Sequence, residues 1–452
     1  MKILRILLLL GFAVLLALPL IFFNTTEDAV SEIDNRKLMG NPLEAEGDRT
    51  DNIESYINDR IGLRDKMILA YTVLNDRLFS KMVHPSYTYG KDGYVFGAGV
   101  TTENNFGDFH IAYADMVKAI QDYCDARGVP FLFVFNPAKP AVLQDKIADG
   151  INYNREWVDL FLAELDARGV HYVDNTVTLR EATERGEKVF NQKYDANHWN
   201  ALGAYYGTRA SLEALKERCP DIHIGDLSEF DVSTEKKTSL LVSEFPIDED
   251  VPVIRKKVSE YWRDGFGSLR LDAQNHVFGY RVTPTRKEEG APRALVFQGS
   301  YMNGYGGDYF MNAFGEYIYV HDYQNVIDFD YYFNIFNPDC VIFEVAEYTF
   351  SDHYFNYEKM KAIDYAPTLD SLSADAYREV TYLSDAWEVT TEDALTTLTY
   401  HTEETARYVW IRVGDRIYDA VEACEGGYRL TLKTEDYEAG KDTIRIFLST
   451  EQ

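Results

Sequence analysis

The tetrapeptide Ala-Arg-Gly-Val occurs twice, at 126–129 and 167–170, and each copy hands an amphipathic helix over to an apolar run. Gly128 and Gly169 fall just past the last helical turn, where a left-handed residue closes a helix most easily. Helix, short loop and strand in repetition need a parallel sheet with helices packed on it, which is α/β architecture. The same texture continues along the chain. Asn200 is placed to cap a helix running from Ala201 to about Lys216. Ala294 to Phe297, Tyr317 to Val320 and Pro338 to Val345 read as further strands, with a segment around Asp308 to Gly315 between the first two. Residues 220–290 are irregular and charged, and read as strands, loops and an insertion.

The two ends differ from this middle. Lys2 and Arg5 precede an apolar run from Ile6 to Phe23, and Asn24-Thr-Thr-Glu-Asp28 follows at once. That length suffices to span a bilayer, and positive charge ahead of it places the N-terminus in the cytoplasm. A cleaved signal peptide is the alternative. Leu20-Ile-Phe-Phe23 is bulky where a cleavage site wants small side chains, which favours an uncleaved signal anchor at 1–23. Residues 24–50 are acidic and poor in large apolar groups, and read as a spacer. From Ile53 to Phe79 the pattern is helical with an interruption near Tyr56 to Asp65, and Asp92-Gly93 predicts a tight hairpin turn. The domain carrying the chemistry is expected at 51–370. Beyond it, short strand-like runs at Tyr408–Val413, Tyr428–Leu432 and Ile444–Leu448, separated by glycines, predict a small β-sandwich-like module at 371–452.

A net charge of −29 argues against nucleic acid, whose phosphates need a basic surface. Thirty-three tyrosines suit sugar stacking as well as sheet packing. Cys124, Cys219, Cys340 and Cys424 are widely spaced, which fits buried free thiols better than a disulfide framework, although one disulfide is open to an extracytoplasmic protein. The nine histidines lack ligand-like spacing and no Gly-rich phosphate loop is present, so neither a metal nor a cofactor is expected.

The chemistry concentrates in Asp195-Ala-Asn-His198-Trp199 and in Gly299-Ser300, which closes the apolar run at 294–297. A serine becomes a nucleophile when a base takes its proton, and that base needs a carboxylate to fix its tautomer and stabilise the imidazolium. Ligands of open α/β sheets gather at the carboxyl ends of strands, where Ser300 is expected. Alone, each piece has a plain structural reading: Ser300 as a loop serine, Asp195 as a turn residue, His198 as a satisfied histidine. Trp199 is either a wall beside the histidine, a sugar platform or core packing. With Tyr301 and Asn303 it is a candidate for substrate contact.

Six segments in order resemble the SGNH-like acyltransferases of the alginate O-acetylation type, the group with a DHHW motif. They are Asn58 to Asp65, Gly90 to Phe96, Phe135-Asn-Pro-Ala-Lys-Pro140, Asp195 to Trp199 with Gly203, Gly299-Ser300-Tyr301, and Pro338-Asp with Glu344-Val-Ala-Glu347. The resemblance covers roughly residues 50–350 and implies an SGNH-hydrolase-like three-layer fold. It also implies Ser300 as nucleophile, His198 as general base and Asp195 as the orienting carboxylate. In this family the acid and histidine precede the serine in the chain, as here. Acid and histidine stand three apart, as in ordinary SGNH hydrolases, where the family usually has two. Relatives can carry a C-terminal carbohydrate-binding module, which agrees with 371–452.

The expected function is therefore a membrane-anchored, extracytoplasmic O-acetyltransferase. It would take an acetyl group from a membrane relay partner and pass it to a hydroxyl of an exopolysaccharide or cell-wall glycan. An acetyl esterase would use the same triad with water as acceptor. A non-catalytic glycan-binding scaffold with a decayed triad is the third reading.

Overall fold

The computed structural model of the chain describes residues 2–26, 29–31, 36–45, 47–101, 104–272, 277–380 and 386–450. Five parallel strands form the centre of a seven-stranded sheet. In spatial order they are Tyr172–Asp174, Phe131–Asn136, Cys340–Ala346, Arg293–Gln298 and Glu316–His321. Phe278–Val282 then adds antiparallel, and the short Tyr261–Trp262 pairs antiparallel with it at the edge. The sheet is thus mixed, with the expected parallel core.

Side chains alternate across this sheet, and each face builds its own core. Phe131, Phe133, Phe135, Leu295, Phe297, Val341, Phe343 and Val345 pack with the helices Asp108–Asp125, Glu156–Ala167 and Phe329–Phe336. Leu132, Val134, Ala294, Val296 and Ile342 pack on the other side with Asn175–Glu184, Ala201–Lys216 and Gly307–Ala313. This is the three-layer SGNH-like arrangement. Strands buried on both faces explain why these runs read as continuously apolar rather than alternating.

The local signals act as expected. Gly128 and Gly169 adopt φ +68° and +66°, closing their helices in the left-handed region. Asp92 and Gly93, at φ 54° and 73°, turn the hairpin between Tyr87–Tyr89 and Val95–Gly97. Asn200 caps Ala201–Lys216 through 3.0 Å bonds from the Leu202 and Gly203 N–H groups. The irregular stretch resolves mainly into one long antiparallel ribbon, Phe230–Leu240 with Ser243–Lys256. All four cysteines are free, with Cys124, Cys219 and Cys340 buried and Cys424 half-buried.

The described part of residues 24–50, read as a spacer, is tied to the body. Buried Arg60 donates to the carbonyls of Asn24, Thr26 and Met39, and Asp59 accepts the Met39 N–H at 2.8 Å. Positions 27–28, 32–35 and 46 of that stretch lie outside the described residues. Ahead of it, the apolar helix Lys2–Ile21 is exposed along most of its length, with Ile3–Ile21 long and apolar enough to cross a membrane.

At the other end, two four-stranded antiparallel sheets share a core of Leu398, Ile411, Leu430, Leu432, Ile446 and Leu448. This sandwich is joined to the body by a buried polar knot: Asp419 pairs with Arg127, accepts the Tyr123 hydroxyl and exchanges hydrogen bonds with Asn334.

Candidate active site

Two chain segments 102 residues apart meet over the carboxyl edge of the sheet. Ser300 follows the strand Arg293–Gln298 after the single residue Gly299 and opens a helical segment that passes through a π-turn at Met302–Gly306. A helix start is where partial positive charge from unpaired N–H groups favours developing negative charge. The histidine loop lies between Phe190, which bridges Trp199, and the helix that Asn200 caps.

His198 Nε2 stands 2.9 Å from Ser300 Oγ, and its Nδ1 lies 3.0 and 3.1 Å from the two Asp195 carboxylate oxygens. The three-residue spacing works because Asp195 folds back on its own turn. Its Oδ1 accepts the backbone N–H of Asn197 and of His198, each at 3.0 Å, which brings the carboxylate beneath the ring. Asp195 is 3% exposed. Burial raises its pKa, but the hydrogen bonds and charge of His198 and the two backbone N–H groups outweigh it and hold the carboxyl below the usual range. Burial likewise lowers the pKa of His198, and the Asp195 hydrogen bond and charge, with Glu344 beyond, override it and raise it above the ordinary value.

Trp199 and Tyr301, expected at the substrate, are 0% exposed and face protein instead. The Trp199 indole N–H donates to the Tyr301 carbonyl at 3.0 Å. The Tyr301 hydroxyl donates to the carbonyls of Asn197, at 3.0 Å, and Pro137, at 2.7 Å. Each residue beside a triad member therefore bonds the other segment, and these bonds clamp His198 against Ser300. The physical reason for the correction is that a large aromatic with one polar atom is most stable buried when that atom finds a partner. Asn303 is exposed, accepts the Gln298 side-chain N–H at 2.6 Å, and lines a cleft with Arg281, Asp308 and Tyr319 instead of the pocket beside the triad.

Four groups that sequence reasoning left without a role complete the site. Tyr348, just beyond the strand Cys340–Ala346, places its hydroxyl 2.9 Å from Ser300 Oγ and 3.1 Å from His198 Nε2. Glu344 is buried under the serine; one oxygen accepts the Gly299 N–H at 2.8 Å and the other the Asn136 amide at 2.6 Å. Burial pushes its pKa up to about 7, against the pull of those two bonds and of His198. Lys139, fully buried, donates to the carbonyls of Val95, Gln192 and Asp195, at 2.7, 3.3 and 3.0 Å. Burial lowers its pKa to about 7, although Asp195 and Glu249 draw it upward. Glu249, from the long ribbon, accepts the N–H groups of Gln192, Lys193 and Tyr194 at 2.6 to 2.8 Å and so holds the approach to Asp195. Lys139 and Glu344 sit in segments quoted for the family resemblance, which was their only signal. Tyr348 and Glu249 carried none, because their partners lie far away in the chain.

A pocket of about 370 Å³ opens beside Tyr348. Its walls include Tyr153, Trp157, Phe350, Asn104, Asn154 and Asn197. Glu347 supports one wall by accepting the Ala138 N–H, the Tyr153 hydroxyl and the Arg155 guanidinium. Aromatic faces beside side-chain amides form the mixed lining that neutral polyhydroxy ligands use. Among the described residues no group of histidine, cysteine and carboxylate side chains has the arrangement of a metal site.

Residues 88–252 match the family described as the SGNH hydrolase-like domain of the acetyltransferase AlgX. That segment is similar to an AlgX-type SGNH domain. The matched segment holds Asp195 and His198 and ends before Ser300. Similar solved structures include Bacillus cereus PatB1 with a sulfonyl adduct (14% identity, 60% of this chain and 96% of that one, TM-score 0.46). A DHHW family protein from Eubacterium siraeum gives 16%, 62%, 97% and 0.44, and Pseudomonas aeruginosa AlgX gives 13%, 80%, 94% and 0.40. No curated protein matches the chain.

Proposed function

We propose that this protein is an O-acetyltransferase that carries an acetyl group on Ser300 and delivers it to a hydroxyl of an extracytoplasmic polysaccharide. The observation that carries the proposal is the assembled relay from Asp195 through His198 to Ser300 Oγ, whose acid and histidine lie in the segment matched to an acetyltransferase family. His198 Nε2 takes the Ser300 proton as Oγ attacks the donor's acetyl carbonyl. The tetrahedral intermediate collapses, and the donor's leaving group departs with that proton. In the second half a sugar hydroxyl gives its proton to His198 and attacks the acetyl-serine, and Ser300 Oγ leaves and regains a proton. Asp195 keeps Nδ1 protonated, so Nε2 is the basic nitrogen. Tyr348 can donate a hydrogen bond to Ser300 Oγ as it departs. The amide and aromatic pocket beside it is the acceptor's place in this reading.

We read residues 3–21 as a signal anchor, with the N-terminus in the cytoplasm and the body outside. A membrane relay protein would supply the acetyl group, since anchoring raises the effective concentration of two membrane-bound partners. Residues 51–370 act as the catalytic unit and 371–452 as a carbohydrate-binding module. An acetyl esterase uses the same first half-reaction, and the acid–histidine spacing of ordinary SGNH hydrolases is the feature that favours it. A scaffold with a decayed triad is the weakest of the three readings, because Asp195 reaches His198 at 3.0 Å.

A chromogenic acetyl ester, given with and without an oligosaccharide acceptor, separates these readings. Acetyl appearing on the sugar supports the transferase, and acetate released at the same rate with or without acceptor supports the esterase. No turnover, with no acetyl adduct on Ser300, refutes both.

A further inference from the structure

Beyond the catalytic site, the helix Arg64–Phe79 leaves one face without a protein partner among the described residues. Met67, Tyr71, Leu74 and Leu78 recur at i, i+4, i+7 and i+11, one stripe of a helix. They are 47%, 60%, 54% and 63% exposed, and Phe79 at the end is 70% exposed. The opposite face is packed: Leu69 and Val73 join Tyr87, Val95, Leu240 and Phe245 in a small core that also contains Ala196, the neighbour of Asp195. The polar residues divide the same way. Asp65 and Asp76 lie on the half of the helix away from the stripe, and Asp76 accepts the Tyr89 hydroxyl at 2.8 Å. Exposed Lys66 and Arg77 flank one border of the stripe and Lys81 follows it, in a chain whose net charge is −29.

The position of this helix identifies what covers the stripe. The turn that opens it is docked on the end of the apolar N-terminal helix. The Gly62 N–H donates to the Pro19 carbonyl at 2.9 Å, and the Asn24 N–H donates to the Arg60 carbonyl at 2.8 Å. A Cβ on Gly62 would fall 2.4 Å from the Phe22 carbonyl carbon, so only glycine permits this approach. The stripe therefore begins where the 19-residue apolar helix ends.

We infer that the helix Arg64–Phe79 lies on the bilayer surface, with Met67, Tyr71, Leu74 and Leu78 buried in the headgroup boundary and Lys66, Arg77 and Lys81 at anionic lipid headgroups. This inference rests on reading residues 3–21 as a membrane span. Apolar faces of this kind sink roughly 5–10 Å into the interface, and basic residues at the border reach back to the headgroups. Two attachments, the span and this helix, fix the tilt of the body. Because the buried side of the helix packs in the core that holds Ala196, the triad is held at a set height above the lipid.

The full chain is reconstituted into phosphatidylcholine–phosphatidylglycerol vesicles containing spin-labelled lipid. A polarity-sensitive fluorophore is attached in turn at Leu15→Cys, Leu74→Cys and Val389→Cys, with Cys424→Ser in each. Val389 is an exposed residue of the C-terminal sandwich. The expected result is strong quenching at position 15, quenching at 74 at least about twofold above that at 389, and a blue-shifted emission at 74. Quenching at 15 with none at 74 above 389 overturns the interfacial helix and leaves the span intact. That is also what a protein partner on this face would give in pure lipid. No quenching at 15 removes the span, and the inference with it.

Discussion

The two loops that face each other across Ser300 are built on opposite principles. The loop from Gln192 to Asn200 is fixed from all sides by Glu249, Lys139, the Trp199 indole and the Asn200 cap. The loop after Ala346 presents Tyr348 to the same two reacting atoms, yet that side chain is 38% exposed. The first loop gains rigidity from buried polar groups whose every partner must be present, since one unmet donor or acceptor costs about 1–3 kcal/mol. The second keeps one hydroxyl at the chemistry and opens onto the pocket. In the proposed transfer, a relay between acid, histidine and serine tolerates no misplacement, whereas a group that meets variable acceptor hydroxyls gains from being able to adjust.

The sharpest break in this contrast is Asp195→Asn. It leaves the shape but offers Nδ1 the wrong partner, so kcat should fall by about 10⁴-fold. The pH profile distinguishes this from a folding defect. In the wild type the His198 pKa is raised, so the acidic limb of kcat/KM lies above the ordinary value of 6.5 and activity is lost as pH falls through it. Without the carboxylate, burial dominates, and the limb should move below 6.5.

Glu344→Gln tests the buried layer beneath Ser300 through stability. The folded-state pKa near 7 exceeds the ordinary 4.5, so the folded protein keeps a proton that the unfolded chain has already released. The Glu344 contribution to stability should therefore decline as pH rises from 4.5 to 7 and level off above it. The share from this one group is about 3 kcal/mol. Denaturant titrations at pH 5 and pH 8 should show the Gln variant losing most of that difference. An unchanged difference would remove Glu344 from the account.

Glu249→Gln keeps the shape but weakens three N–H bonds to a carboxylate, and should lower kcat by about tenfold with KM nearly unchanged. Tyr348→Phe should have the smallest effect, about threefold, expressed more in KM for the acceptor than in formation of the acetyl-enzyme. If Tyr348→Phe proved as damaging as Asp195→Asn, the contrast between a rigid and an adjustable loop would fail.

The ease of reading these features from sequence follows the range of the forces behind them. The helix-to-strand handovers were legible because Gly128 and Gly169 answer to backbone sterics within a few residues. The N-terminal helix was legible from its uninterrupted apolar run. Ser300 was legible as a serine placed after a strand, and Asp195 and His198 as an acid and a histidine three apart ahead of a capped helix. Trp199 and Tyr301 went wrong because an aromatic beside a reactive residue looks the same in sequence whether it meets a sugar or a carbonyl. Burial decided it, and burial depends on segments 102 residues apart. Glu249 and Tyr348 were silent because an acid in a ribbon and a tyrosine after a strand gain meaning only from what they touch. The long ribbon read as an insertion, yet it supplies both Glu249 and part of the packing beneath the amphipathic helix.

The measurement that bears most directly on the central claim is mass spectrometry of the Ser300 peptide after brief exposure of the full chain to an acetyl ester, followed by addition of an oligosaccharide. An acetyl group should appear on Ser300 and disappear on adding the sugar as acetylated oligosaccharide forms, with no adduct in Ser300→Ala or Asp195→Asn. Sugar acetylation that persists in Ser300→Ala, or an acetyl group carried on another residue, would contradict the claim.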